Sequence, residues 1–123
     1  PTKKMIADLQ KSGKVKKGEA GFDSDRLIMP LINEASLCVE EHIASLSDID
    51  MAMVAGTGMT YGGERVGPLA VADFIGLDVV VNKLEELQKK HGERFRPSRT
   101  LRTKVRAGHL GRKGGKGFHE YSG

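Results

Sequence analysis

The residues able to do chemistry in this 123-residue chain are few: four histidines, one cysteine and two glycine-rich runs among scattered carboxylates. His42, His91, His109 and His119 do not share metal-ligand spacing on any helix. Cys38 has no cysteine partner, so no zinc site is expected. A single cysteine also excludes an intrachain disulfide and fits a reducing cytosol. No serine, histidine and aspartate stand in the context that a nucleophilic triad requires. Gly56-Thr-Gly-Met-Thr-Tyr61 departs from the dinucleotide fingerprint, with Tyr61 where the third glycine belongs and a helix in front of it instead of a strand. Gly111-Arg-Lys-Gly-Gly-Lys116 departs from the P-loop, with Lys116 one place early and Gly117 where Ser or Thr is required. Glu34, Glu40 and Glu41 read as solvated or capping charges, not as an acid–base pair. No residue set here can carry hydride chemistry alone.

Charge adds a second clue. The formal net charge is +4 and the pI about 9.3, and the lysines and arginines crowd residues 89–116. Such a field attracts phosphate-bearing ligands, nucleic acid or an acidic partner surface; a solvated basic face is the plain alternative. Arg99, Arg102 and Arg106 recur at helical spacing and permit a phosphate-contacting helix. The same spacing suits a helix that faces another domain. Phe118 and Tyr121 are too few to form a stacking platform, which disfavours nucleic-acid binding.

The elements that must position these residues read as helices throughout. The central one is expected from about Ser24 to about Ala44, capped by Asp23 or Ser24. Its expected core stripe is Leu27, Leu31, Glu34, Ala35, Cys38 and Val39, widened by Ile28, Ile32 and Ile43. Pro30 should kink this helix or displace its first turn toward Leu27. A short helix is expected before it, over Lys3–Lys11. After it, Ser47 is expected to cap a helix with Asp50 at its third position, and Gly56 and Gly58 to end it. A glycine-rich surface loop follows to Gly67. Pro68 opens the next helix, which Gly76 stops. Asp78 is expected to cap Val79–His91, and Ser98 a last helix through Val105. The tail from Leu110 is a glycine-rich loop with Phe118 and Tyr121 as anchors. No strand alternation and no membrane-length apolar run are visible. The fold class is all-α, with about five to seven helices. The two long helices carry more apolar face than one small core uses, so self-association is expected.

Four blocks then converge. They are Gly21-Phe22-x-x-x-Arg26 with Pro30 and Asn33-Glu-Ala35; Glu40-Glu-x-Ile-Ala-Ser-x-x-Asp-Ile-Asp-x-Ala-Met53; Gly67-Pro-Leu-x-x-x-Asp-x-x-Gly-Leu-Asp78; and Leu110-Gly-Arg-Lys-x-Gly-Lys-Gly-Phe118 with Tyr121. In this order they resemble the C-terminal helical domain of 3-hydroxyacyl-CoA dehydrogenases, a domain similar to that of 6-phosphogluconate dehydrogenase. The likeness covers about residues 21–121. Residues 1–20 match poorly, as a remnant of a preceding nucleotide-binding domain or a linker would.

The resemblance implies a fragment of a cytoplasmic, NAD-dependent enzyme of fatty-acid β-oxidation that oxidises 3-hydroxyacyl-CoA to 3-oxoacyl-CoA. It implies a catalytic His and Glu on a separate Rossmann domain, a homodimer through the helical domain, and an isolated chain without activity. A parent that also carries an enoyl-CoA hydratase module is compatible with it. Two positions inherit roles. Lys113 matches the lysine that approaches NAD, with Arg112 and Lys116 as solvated neighbours. Asp25 stands where the family has a substrate-reaching Asn. An ionised Asp only accepts hydrogen bonds where Asn also donates, and the reading of Asp25 as a plain helix-start carboxylate stays open. The 56–68 loop is longer than the family's, which alters the cleft wall or is a surface insertion. A non-catalytic dimerisation or docking module and a basic nucleic-acid-binding domain remain the alternatives.

Overall fold

The structure is a computed structural model that describes residues 24–121. The expected helix over Lys3–Lys11, the cap at Asp23 and the linker reading of residues 1–20 lie outside the described residues. Among the described residues five α-helices follow one another: α1 Asp25–Glu40, α2 Leu46–Thr57, α3 Pro68–Ile75, α4 Leu77–His91 and α5 Arg99–Arg106. The same residues form two 3-10 turns, Glu93–Phe95 and Arg112–Gly114. The described residues contain only isolated bridges and no strand. The all-α expectation holds.

α1 packs against all four other helices, so the domain is indeed organised around it. Its details differ from the sequence reading. It starts at Asp25, beside the expected Ser24, and continues through Pro30 with its first turn not displaced toward Leu27; Ser24 supplies no side-chain cap. It also stops four residues early. The Ile43 N–H bonds the Cys38 carbonyl (2.9 Å) and the His42 N–H bonds that of Val39 (3.1 Å), while His42 takes φ +57°. This is the paired bonding of a Schellman end. It escaped the sequence reading because histidine occupies the left-handed position where glycine is the usual signal.

The buried face of α1 is rotated from the expected stripe. Met29, Ile32, Asn33, Ala35 and Ser36 are buried, whereas Leu27 is 63 % exposed and Cys38 only half-buried. Two polar residues belong to this inner face, and an apolar stripe cannot reveal them. Asn33 Nδ2 donates to the Arg96 carbonyl (2.9 Å), and its Oδ1 accepts the Ser98 N–H (2.8 Å). Ser36 Oγ lies 2.7 Å from Ser98 Oγ, which in turn accepts the Leu101 N–H and caps α5 as expected. Around this clasp the core closes with Leu69, Leu77, Val80, Leu84, Leu101 and Phe118.

Two expected caps move. Ser45, not Ser47, caps α2, accepting the Asp48 N–H at 3.2 Å. Gly76, not Asp78, stands at the N-cap of α4, and Asp78 lies in the first turn. Gly56 is helical, and Gly58 is the left-handed residue that ends α2. Pro68 opens α3 and Gly76 stops it, both as expected.

Candidate functional site

The site is built by two buried or near-buried carboxylates that hold the glycine-rich tail on α3. Asp50 projects from α2 to the start of α3, where Oδ1 accepts the Leu69 N–H (2.8 Å) and Oδ2 the Ala70 N–H (3.0 Å). These are orphan donors of a helix N-terminus, and a carboxylate there also meets the positive end of the dipole. Gly67 makes the approach possible, since a Cβ on it would lie 2.4 Å from the Asp50 Cα. Asp50 therefore caps the next helix instead of serving its own.

Asp73 is the second carboxylate, 1 % exposed, on α3. It accepts the Phe118 N–H (2.7 Å), the His119 N–H (2.9 Å) and the Tyr121 hydroxyl (2.7 Å). His119 links the two acids, because its Nε2 lies 3.0 Å from Asp50 Oδ2. The tail lies so close to Asp73 that a Cβ on Gly117 would come within 2.1 Å of its Oδ1. Burial first, then the bond to Asp73 and its charge, raises the Tyr121 hydroxyl above its ordinary value, with Arg112 opposing. Phe118 and Tyr121 are thus anchors, as expected.

The tail's three cations part company. Arg112 stacks over Phe74 (5.6 Å) and Tyr121 (5.2 Å), so it is not merely a solvated neighbour. Lys116 pairs with Glu120 at 3.2 Å. Lys113 turns the other way, to Asp78 in the first turn of α4, at 2.6 Å. The Lys113 bond holds the Asp78 carboxyl below its ordinary value against the opposing effect of burial. Asp25, at the head of α1, pairs with Lys83 of α4. The two residues singled out in the sequence thus meet the same helix, at side chains one and a half turns apart, and not each other. Asp78 and Lys83 were not foreseen as their partners, since no local spacing connects residues 35 and 58 positions apart.

Beside the head of α1 runs an open trough of about 490 Å³, lined by Ile28, Leu31, Met53, Met59, Tyr61 and Val71 among others. Tyr61 comes from the long 56–68 loop. There the chain reverses between Tyr61 and Glu64 over Gly62 (φ +61°) and Gly63 (φ +86°), the signs that a type I′ turn demands. The turn presses the Tyr61 ring edge-on to Phe74, centroids 5.4 Å apart. Tyr61 is therefore part of the trough wall, while residues 62–65 stay exposed at the surface. A smaller pocket of about 160 Å³ adjoins it, between Tyr61, Phe74 and Arg112. No group of three or more His, Cys, Asp or Glu suited to a metal occurs among the described residues.

Comparison with known proteins places this arrangement. Residues 21–121 match the family described as 3-hydroxyacyl-CoA dehydrogenase, C-terminal domain. A probable 3-hydroxybutyryl-CoA dehydrogenase of Bacillus subtilis is 44 % identical over 102 residues, 82 % of this chain and 34 % of the relative. A 3-hydroxybutyryl-CoA dehydrogenase of Bradyrhizobium diazoefficiens is 35 % identical over 123 residues, 99 % of this chain and 40 % of that protein. The crystal structure of (S)-3-hydroxybutyryl-CoA dehydrogenase from Ralstonia eutropha superposes with a TM-score of 0.76 at 33 % identity, covering 99 % of this chain and 44 % of that one. The chain thus spans between a third and two fifths of the length of these curated relatives.

Proposed function

Because the chain belongs to the 3-hydroxyacyl-CoA dehydrogenase family through its C-terminal domain, we propose that it forms one wall of the substrate cleft, and the dimer contact, of an NAD-dependent enzyme that oxidises 3-hydroxyacyl-CoA to 3-oxoacyl-CoA. In this reading residues 21–121 are the helical domain and residues 1–20 lead to it from a nucleotide-binding domain. That other domain carries the catalytic His and Glu and most of the NAD site, so the isolated chain is inactive. The setting is cytoplasmic fatty-acid β-oxidation, and a parent fused to an enoyl-CoA hydratase module is consistent with it. NAD, when bound, takes the hydride. What this chain offers it is the single ammonium of Lys113, carried on a glycine-rich turn where backbone can approach another surface. A flexible ammonium suits a phosphate or amide oxygen, so the residue type fits a modest share of the binding.

The observation that carries the reading is the juxtaposition at the head of α1. In the family reading Asp25 takes the substrate-reaching position, and Ile28, three residues on, lines the apolar trough. A thioester at Asp25 would leave its acyl chain free to lie along Ile28, Leu31 and Met59. The test is hydride transfer by the full-length parent with Asp25 intact and as Asp25→Asn. A substrate role predicts a changed kcat/KM, because that quantity measures transition-state binding. A rate indifferent to the change removes Asp25 from the site, and a parent that turns over no 3-hydroxyacyl-CoA with NAD or NADP removes the enzyme reading. Lys113→Met should raise the NAD concentration needed for half-saturation; an unchanged titration refutes that role.

One observation favours a second reading. The Asp25 carboxylate is already engaged by Lys83, as a structural ion pair in a dimerisation or docking module would be. Under that reading, Asp25→Asn lowers stability and leaves no trace in kcat/KM.

A further inference from the structure

We propose that Asp78 is the positioning residue for Lys113, holding its ammonium over Gly76 at the junction of α3 and α4 so that it meets an oxygen of the dinucleotide. The inference rests on the reading of Lys113 as cofactor-facing and adds to it the residue through which that lysine is aimed. Lys113 sits in a turn with Gly111 and Gly114–Gly115 on either side, and Gly111 and Gly115 both have positive φ. A four-carbon side chain on such a turn would sweep a wide volume unless something outside the turn held its end. Asp78 is that holder, at 2.6 Å. It is fixed in the first turn of a fifteen-residue helix, next to the fully buried Leu77. The Leu77 N–H bonds the Leu110 carbonyl at 3.0 Å, which locks the root of the tail to the same helix end.

Two further observations set this pair apart from an incidental surface bridge. The first is the fit over Gly76. A Cβ there would lie 2.9 Å from Lys113 Nζ, 3.1 Å from its Cε and 3.0 Å from Asp78 Oδ1. The pair thus occupies the space that the missing side chain leaves. The second is the electrostatic setting. The positive end of a helix disfavours an ammonium and favours a carboxylate. Gly76 closes the carbonyl end of α3 as well as opening α4, so the junction suits the Lys113 ammonium through one helix and the Asp78 carboxylate through the other. Both side chains remain open to solvent, with Lys113 48 % exposed, so the ammonium can still reach a second oxygen.

The test is a double-mutant cycle on NAD dissociation constants in the full-length parent, with NMR of the chain itself. Lys113→Met and Asp78→Asn should each weaken NAD binding roughly three-fold, the scale of one partly exposed cation, and the double variant should be no weaker than Lys113→Met alone. In the 123-residue chain the two ε protons of Lys113 should be distinct, and Asp78→Asn should merge them. Where Asp78→Asn does not fold, Asp78→Glu shifts the charge by one methylene and should give a smaller loss that likewise vanishes without Lys113. Equal losses from the Asp78 change with and without Lys113 overturn the proposal while leaving Lys113 at the cofactor. Merged ε protons in the unaltered chain overturn it as well. If Lys113→Met binds NAD unchanged, the cofactor reading fails and the proposal falls with it.

Discussion

Tyr121 and Asp73 show how much one hydrogen bond near the chain's end controls. The raised value of the Tyr121 hydroxyl means that the folded chain keeps this proton at a pH where the unfolded chain has lost it. The stability drawn from the bond is whole below about pH 10 and declines as pH rises beyond it. In denaturant titrations, the advantage of the unaltered chain over Tyr121→Phe should be constant near neutrality and shrink from about pH 10 upward. A constant difference would place the hydroxyl outside the bond. Asp73→Ala is harsher, because it strands the Phe118 and His119 N–H groups, and should cost about 3 kcal/mol or more in chemical denaturation. Asp73 stands in the third sequence block, yet its task was not legible there. Its partners lie 45 to 48 residues onward, and a carboxylate carries no local sign of a distant amide.

Helices themselves were legible wherever the chain supplies its own punctuation. Pro68 and Gly76 bound α3, and Ser98 caps α5, each by a rule that acts within four residues. Reading failed where the end or face depends on something remote. α1 ends on His42 in a left-handed turn, so the missing glycine hid the stop. This conformation costs an L-residue of this kind about 1 kcal/mol, and His42→Gly should recover much of it as a higher unfolding midpoint. The inward face of α1 was misread because Asn33 looks like a solvent residue. Its amide instead clasps both sides of Pro97, through the Arg96 carbonyl and the Ser98 N–H. Asn33→Leu keeps the branched side-chain skeleton, at a somewhat larger volume, and removes both bonds. It should destabilise the fold by about 2–3 kcal/mol in the same titration, against near-neutrality for a leucine in an apolar site.

At the scale of the whole molecule, the expected surplus of apolar surface is present but differently placed. Leu27, Ile43, Met51 and Phe74 are each at least 60 % exposed, while α4, expected to contribute, turns its apolar residues inward. Exposed side chains of this size on so small a domain invite a covering surface. The dimer in the proposed function supplies one. Sedimentation of the chain at high micromolar concentration should show self-association, and Ile43→Asp with Met51→Asp should shift it to monomer. A monomer throughout would assign these side chains to another domain. No helix among the described residues is long and apolar enough to cross a membrane.

The linked acids Asp50 and Asp73 also govern when the domain can form as it leaves the ribosome. A nascent chain that ends before Phe118 has α1 to α5 complete, but Asp73 then faces an apolar interior with no amide to receive it, and the Phe118 place in the core is empty. A buried carboxylate without donors is costly enough to hold such a chain open. Assembly should therefore be abrupt and late, waiting for the final stitch at residues 118–121. Ribosome-arrested chains should stay sensitive to protease until Tyr121 clears the exit tunnel, and become resistant in a single step once it has.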